Sequence, residues 1–266
     1  MIKALIRSFI PDSIDKLYVK YRQKNENRKL AVEYKGDAVV CSVCNSTYRE
    51  FIPTGYIVRK NALCINCDSV ERHRLVFKYL TEKTDFFTKP HIRVLHFGPE
   101  KAYYDIFIKM KNIDEYVPCD FFPEVYDDCN IVKVVKVDIT NIQFEDNYFD
   151  VIMCNHVFEH IENDHLAMTE CLRVLKPNGW GIFQVPIDYK RETTYEDFTI
   201  TSPEARTIAF GQSDHVRWYG KDYKERLAKA GFIVKEDDYV TSFTPEEQFK
   251  FGFFPDEMIY LCKKSI

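Results

Sequence analysis

A chain of 266 residues can bury one complete α/β core and carry a small appendage, but two large domains are out of reach. With 45% hydrophobic and 29% charged residues the composition is that of a soluble globular protein, and no run of eighteen apolar residues offers a membrane-spanning helix. The net charge of −4 gives no general attraction to nucleic acid, and with no secretory leader the cytoplasm is the default compartment.

The amino terminus departs from that average. Eight Lys/Arg against three acidic residues put +5 on residues 1–30, so the remaining chain carries −9. Ile2, Leu5, Ile6, Phe9 and Ile10 share one helical face, Pro11-Asp12-Ser13 interrupts it, and Ile14, Leu17, Tyr18 and Tyr21 resume it. Residues 1–35 therefore read as a basic amphipathic helical leader. Two uses fit it: packing on the main domain or in a dimer contact, or a peripheral membrane contact that brings the protein to a lipid-carried substrate. The sequence leaves the oligomeric state open.

Nine cysteines without a secretory signal argue for metal-binding or buried thiols rather than disulfides. Within residues 36–70, Cys41-x-x-Cys44 and Cys64-x-x-Cys67 are separated by nineteen residues. Two such knuckles let four thiolates meet around one Zn²⁺ as a small zinc ribbon, and four sulfur ligands close the shell, so the metal is expected to be structural. A helix from Asp68 to Lys83, with Val70, Leu75, Val76, Tyr79 and Leu80 at helical spacing, then leads into a main domain over 71–266. Arg72, His73 and Arg74 on it read as surface or interface residues, with a substrate-facing role as the alternative.

The main domain opens with a strand at Ile92 to Phe97, a turn at Gly98-Pro99-Glu100 whose glycine lets a ligand approach the backbone, and a helix from Ala102 to about Met110. Glu115 to Cys119 is the second strand. It ends at Asp120, about twenty residues after the glycine, where Rossmann-like folds place a ribose-binding carboxylate. Val132 to Val137 is the third, ending in Asp138-Ile139-Thr140. Each carboxylate alone is equally an end-of-strand cap; three glycine or acidic positions at successive strand ends point to a nucleotide site. Phe149 to Cys154 is almost wholly apolar, as in a parallel strand covered on both faces, with Asn155 and His156 at its ligand-binding carboxyl end. From Asp164 a helix presents Leu166, Met168, Cys171, Leu172 and Leu175 before Lys176-Pro177-Asn178-Gly179 stops it, and Gly181 to Val185 is the next strand. Residues 187–220 form a long polar and aromatic excursion, read as a lid that supplies an acceptor pocket. Lys221 to Ala230 is a helix closed by Gly231. The last strands are Phe232 to Val240 and Glu257 to Cys262, joined by Thr241 to Asp256.

Phe149-Asp150-Val151-Ile152, Asn155-His156-Val157, Glu159-His160-Ile161 and Arg173-Val174-Leu175-Lys176-Pro177 resemble the second half of class I S-adenosylmethionine-dependent methyltransferases. With the cysteine knuckles and Glu71-Arg72-His73-Arg74, the chain resembles a bacterial subgroup with an amino-terminal zinc ribbon. The resemblance implies a doubly wound, Rossmann-like α/β sheet of seven strands with the last antiparallel, and S-adenosylmethionine as cofactor. It places Gly98 and Glu100 at the methionine end, Asp120 on the ribose, Asp138 and Ile139 at the adenine, and Asn155 and His156 beside the methyl group. The usual acidic residue and run of glycines are here Leu95-His96-Phe97-Gly98-Pro99-Glu100. His96 stands where the acid belongs, and Glu100 is the substitute for holding the cofactor's ammonium group. The implied reaction is in-line methyl transfer, and the polar aromatic excursion favours an oxygen of a small molecule or carbohydrate, including a lipid-linked glycan. His156 and His215 are candidate general bases, with Asp214, Arg217, Trp218 and Tyr219 available to orient His215; His156 is equally a loop residue bonded to backbone, and His160 reads as a helix-start residue. Two other readings remain: an rRNA or tRNA methyltransferase using the ribbon for RNA recognition, against which the acidic body counts, and a non-catalytic zinc-ribbon interaction protein whose glycine loop has lost the cofactor.

Overall fold

The structure is a computed structural model and describes residues 25–55, 58–126 and 131–265; the leader through residue 24 lies outside them. The chain divides into two compact units, Met1–Lys78 with Phe243–Pro255, and Tyr79–Ser242 with Asp256–Ile266.

The first unit holds a helix over 25–33 and two hairpins, β1 (Val39–Val40) with β2 (Thr47–Tyr48) and β3 (Ile52–Thr54) with β4 (Arg59–Leu63). The unit boundary falls inside helix α1 (Glu71–Lys83). Both knuckles close in the same way. The N–H groups of Asn45 and Asp68 donate to the carbonyls of Cys41 and Cys64 at 2.8 and 3.0 Å, with φ of 58° and 59°, a left-handed conformation that Asn and Asp tolerate. Cys41 and Cys64 in turn donate to the carbonyls of Ser46 and Ser69, each at 2.9 Å. Arg74 is fully buried rather than at the surface: Nε and Nη2 donate to the carbonyls of Phe251 and Gly252 at 2.7 Å, Nη1 donates to those of Ala62 and Ser69 at 2.8 Å, and the guanidinium lies 3.9 Å over the Phe51 ring. Sequence division at residue 70 places Thr241 to Asp256 in the main domain as a connection. The structure instead folds Pro245–Phe251 into a helix within the first unit, started by a Thr244–Glu247 capping box and ended by Gly252 at φ 60°.

The second unit contains β5 (Ile92–Phe97), α2 (Lys101–Phe107), β6 (Ile113–Asp120), β7 (Val135–Lys136), β8 (Phe149–Asn155), α3 (Asp164–Val174), β9 (Leu175–Gln184), β10 (Tyr195–Glu196), α4 (Pro203–Phe210), β11 (Arg217–Trp218), α5 (Tyr223–Lys229), β12 (Ile233–Asp237) and β13 (Ile259–Lys263). Seven strands form one sheet in the order β12-β13-β9-β8-β5-β6-β7, with β13 antiparallel to both neighbours and the pairs from β9 to β7 parallel. This is the expected doubly wound Rossmann-like sheet. The chain runs from β5 outward through β6 to β7, then returns to place β8 on the other side of β5, which makes the β5–β8 edge a topological switch point. Every residue of β8 is buried, and Leu95, Ile152, Cys154, Met168, Cys171 and Phe183 belong to the core. Cys119, Cys154, Cys171 and Cys262 are buried free thiols, and burial pushes all four well above the ordinary thiol range.

Two boundaries differ from sequence expectation for identifiable reasons. The third strand shrinks to two residues because Tyr104 Oη both donates to the Val132 carbonyl at 3.0 Å and accepts from its N–H at 3.2 Å. Lys176 to Gly179 does not stop a helix: α3 already ends at Val174, and β9 begins at Leu175 opposite Phe149 and takes up those four residues as a register shift before Trp180 pairs with Val151.

Candidate functional site

Beyond the carboxyl ends of β5, β6 and β8 lies a cavity of about 850 Å³ whose wall includes Gly98, Asp120, Phe121, Asp138, Ile139, Asn155, His156, His160 and Asp214. Gly98 has φ +58°, and a Cβ there would come within 3.3 Å of Val157, so glycine keeps the wall open to a ligand's approach. Asp120 ends β6 with its carboxylate fixed, Oδ1 accepting from the Phe122 N–H at 2.9 Å and Oδ2 from Tyr126 Oη at 2.7 Å. Asp138 Oδ1 accepts from the Thr140 N–H and hydroxyl at 2.8 and 2.6 Å, a closed turn that aims the neighbouring buried Ile139. Phe121 and Phe122 were missed in sequence. They are a 4.8 Å edge-to-face pair, both substantially exposed on the cavity wall, and the signal was a pair of aromatics directly after the ribose-position aspartate.

His96 is not in that wall. It is wholly buried behind it, Nδ1 at 2.7 Å from Tyr116 Oη and Nε2 at 2.7 Å from Glu100 Oε2. Glu100 Oε1 accepts from Asn155 Nδ2 at 2.9 Å. The series Tyr116–His96–Glu100–Asn155 fixes the Asn155 amide so that Oδ1, buried and without a hydrogen-bond partner among the described residues, is left as an acceptor in a cavity-wall residue. An unsatisfied buried carbonyl costs about 1–3 kcal/mol, which a donor such as an ammonium group would recover.

The next residue, His156, occupies the left-handed region at φ 56°, pinned by its N–H to the Gln184 carbonyl at 2.7 Å. Its Nδ1 lies 3.2 Å from Glu159 Oε1, and its Nε2 has no hydrogen-bond partner among the described residues. Glu159 is buried, and although burial alone would raise its pKa, His156 and His160 hold it below the usual range. His160 Nδ1 is 3.3 Å from Asp214 Oδ2. His215 is buried and absent from the cavity wall, burial lowers its pKa, and Nδ1 lies 3.3 Å from the Phe210 carbonyl. Asp214 therefore pairs with His160 rather than orienting His215.

Residues 187–220 carry the β10–β11 hairpin and α4, and among the described residues they contribute only Asp214 to the cavity wall. Arg217 ties the stretch down: Nη1 donates to the Phe158 carbonyl at 2.8 Å and also bonds that of Ile161, Nη2 donates to Glu162 O at 2.8 Å, and Nε pairs with Glu196 at 2.9 Å. Asp164 receives Arg226 Nη2 and Tyr219 Oη at 2.8 and 2.7 Å. Burial would raise the Asp164 pKa, but Arg226 and Arg217 hold it below the ordinary value. Its stabilisation is therefore present above the unfolded carboxyl pKa and lost as pH falls through the depressed folded one. Asp164→Ala, leaving two arginines short of a carboxylate, should cost about 3 kcal/mol near neutral pH, measured by urea unfolding against wild type, and the difference should shrink in acid.

Residues 105–183 match the sequence family described as methyltransferase domain. The match runs from α2 into β9, less than a third of the chain. Among solved structures, a chain from a complex containing the Haloferax volcanii Trm112 methyltransferase activator is similar to it at 18% identity and TM-score 0.50, covering 73% of this chain and 91% of that one. A SAM dependent methyltransferase from Archaeoglobus fulgidus is similar at 18% identity and TM-score 0.46, covering 74% and 96%. No curated protein matches the chain. The methyltransferase sheet and the cavity at its switch point suit S-adenosylmethionine as methyl donor, and the Gly98 opening and the unsatisfied Asn155 carbonyl fit that group's approach and its ammonium.

The first unit gathers its four knuckle cysteines. Cys41 Sγ lies 3.6 Å from Cys67 Sγ, and Cys44 Sγ 3.6 Å from Cys64 Sγ. Tetrahedral Zn²⁺ with bonds of about 2.3 Å separates its sulfurs by about 3.8 Å. Ser69 Oγ is 3.2 Å from both Cys41 and Cys67 Sγ. The set fits a closed structural zinc site whose excess negative charge is balanced by the neighbouring Arg74.

Proposed function

We propose that this methyltransferase methylates an oxygen of a small polar acceptor, a carbohydrate or similar hydroxylated molecule, with His156 as general base. S-adenosylmethionine supplies an electrophilic methyl carbon on a sulfonium centre. Asp120 binds the ribose hydroxyls, Asn155 Oδ1 accepts from the ammonium, and Ile139 with the outer edge of Asp138 bounds the adenine, whose face Phe121 can cover. His96 and Glu100 act by orienting Asn155. The supporting observation for the base is the His156–Glu159 contact: a carboxylate at 3.2 Å from Nδ1 favours the tautomer protonated there, leaving the Nε2 lone pair to take a hydroxyl proton, and then stabilises the imidazolium. His215, outside the cavity wall, is not given that role. The volume is in the range of small-molecule sites, which also favours a compact acceptor over a nucleic-acid strand.

A methyl-transfer screen over free sugars, lipid-linked glycans and tRNA or rRNA, with labelled donor, tests the acceptor class; labelling confined to RNA would overturn it. The cofactor assignment has its own test. Asp120→Ala should weaken S-adenosylmethionine binding by about 1–3 kcal/mol in calorimetric titration, and unchanged affinity would remove Asp120 from the site.

A further inference from the structure

Beside the cavity, Glu159, His160 and His215 each offer a ligand atom within 4.8 Å of the other two. The three come from chain segments 55 residues apart. Glu159 is 1% exposed, and neither of its carboxylate oxygens accepts a hydrogen bond from the described residues, the His156 Nδ1 contact being off hydrogen-bond alignment. A buried carboxylate with no aligned hydrogen bond is poorly compensated by its histidine neighbours alone and is suited to ligate a cation. Both histidines are arranged as ligands are. His160 Nδ1 faces the Asp214 carboxylate at 3.3 Å and His215 Nδ1 faces the Phe210 carbonyl at 3.3 Å, so in each ring the second nitrogen, Nε2, is left with its lone pair. A metal-binding histidine commonly commits its other nitrogen to such an oxygen, which sets tautomer and ring angle. The rings stand edge to face with centroids 4.8 Å apart.

The geometry points to a second metal site, distinct from the cysteine cluster, in which Glu159, His160 and His215 bind one divalent transition-metal ion. Two imidazoles and a carboxylate suit Zn²⁺, Fe²⁺, Co²⁺ or Ni²⁺ over Mg²⁺ or Ca²⁺. Three protein ligands leave at least one coordination position, and His160 is itself part of the cavity wall. This deepens the proposed function and rests on it for one consequence only: an acceptor hydroxyl bound at the open position would lose its proton to His156 more readily. The site as such does not depend on methyl transfer.

Co²⁺ is the probe. The full chain, isolated with its cysteine-bound zinc, should take up one equivalent of Co²⁺ with weak visible bands of nitrogen and oxygen ligation and no intense thiolate charge-transfer band. Glu159→Gln and His215→Ala should each weaken that uptake at least tenfold while the zinc content stays at one per chain. Circular dichroism verifies that each variant is folded, and His160→Gln, exchanging one half-exposed ligand, serves if either is not. Absence of a second equivalent in wild type, a thiolate-type spectrum, or uptake unchanged in folded variants would overturn the site. Co²⁺ uptake without methylation of any screened hydroxyl would instead leave the site standing and count against the acceptor reading.

Discussion

Cys64→Ser should strip the zinc and unfold the first unit, the largest stability effect expected in this chain. That unit has little else to hold it. Its strands are two to five residues long, and a body this small buries too little apolar surface to offset chain entropy without a staple. Structural zinc contributes on the order of 10 kcal/mol to folding in such modules. Loss of the metal also undoes a charge balance, because Arg74 sits fully buried beside the thiolates with only carbonyl acceptors and the Phe51 face around it. Zinc below about a tenth of wild type, together with loss of hydrogen-exchange protection over 36–70 and 245–251, is the expected outcome. A variant with full zinc content would contradict the four-cysteine ligand set.

How much of this was legible depended on the range over which each signal acts. The apolar runs Ile92 to Phe97 and Phe149 to Cys154 identify strands because burial on both faces is written into consecutive residues, and the observed strands agree with them to within one residue. The two knuckles are equally local. Two helices went unread although their ends were spelled out: Ser202-Pro203 before α4 with Gly211 after it, and Thr244-Pro245-Glu246-Glu247 before Pro245–Phe251 with Gly252 after it. Weak apolar periodicity hid them, since neither helix buries a long stripe, and cap chemistry was the better guide.

The site divided along the same line. That Asp120, Asp138 and Asn155 share one cavity wall is legible in sequence because strand ends can be counted. The direction in which a side chain points cannot be counted: sequence position sets His96 where the family's acid belongs, while its ring turns inward to Tyr116 and Glu100. Residue pairing across long loops is equally hidden. Sequence adjacency pairs Asp214 with His215, whereas packing of the excursion against the turn after β8 gives it to His160. Arg217 is the physical cause, since its bonds to the carbonyls of Phe158, Ile161 and Glu162 set where the stretch lands.

His156→Ala should lower turnover by about 100-fold or more on a hydroxyl acceptor while S-adenosylmethionine affinity changes little. The expectation follows from position. The backbone of His156 is fixed by the Gln184 carbonyl, so removing the ring leaves the strand end, and with it Asn155, where it was. What is lost is an imidazole that combines a place in the cavity wall, a buried carboxylate at Nδ1 and a buried Nε2 without a hydrogen-bond partner among the described residues. Glu159→Gln should share the defect, because a neutral amide no longer stabilises the imidazolium. Comparing kcat with KM separates the two ways this could fail. A raised KM with unchanged kcat would make His156 a binding residue, and loss of cofactor affinity would mean that its left-handed backbone, rather than its ring, shapes the nucleotide site.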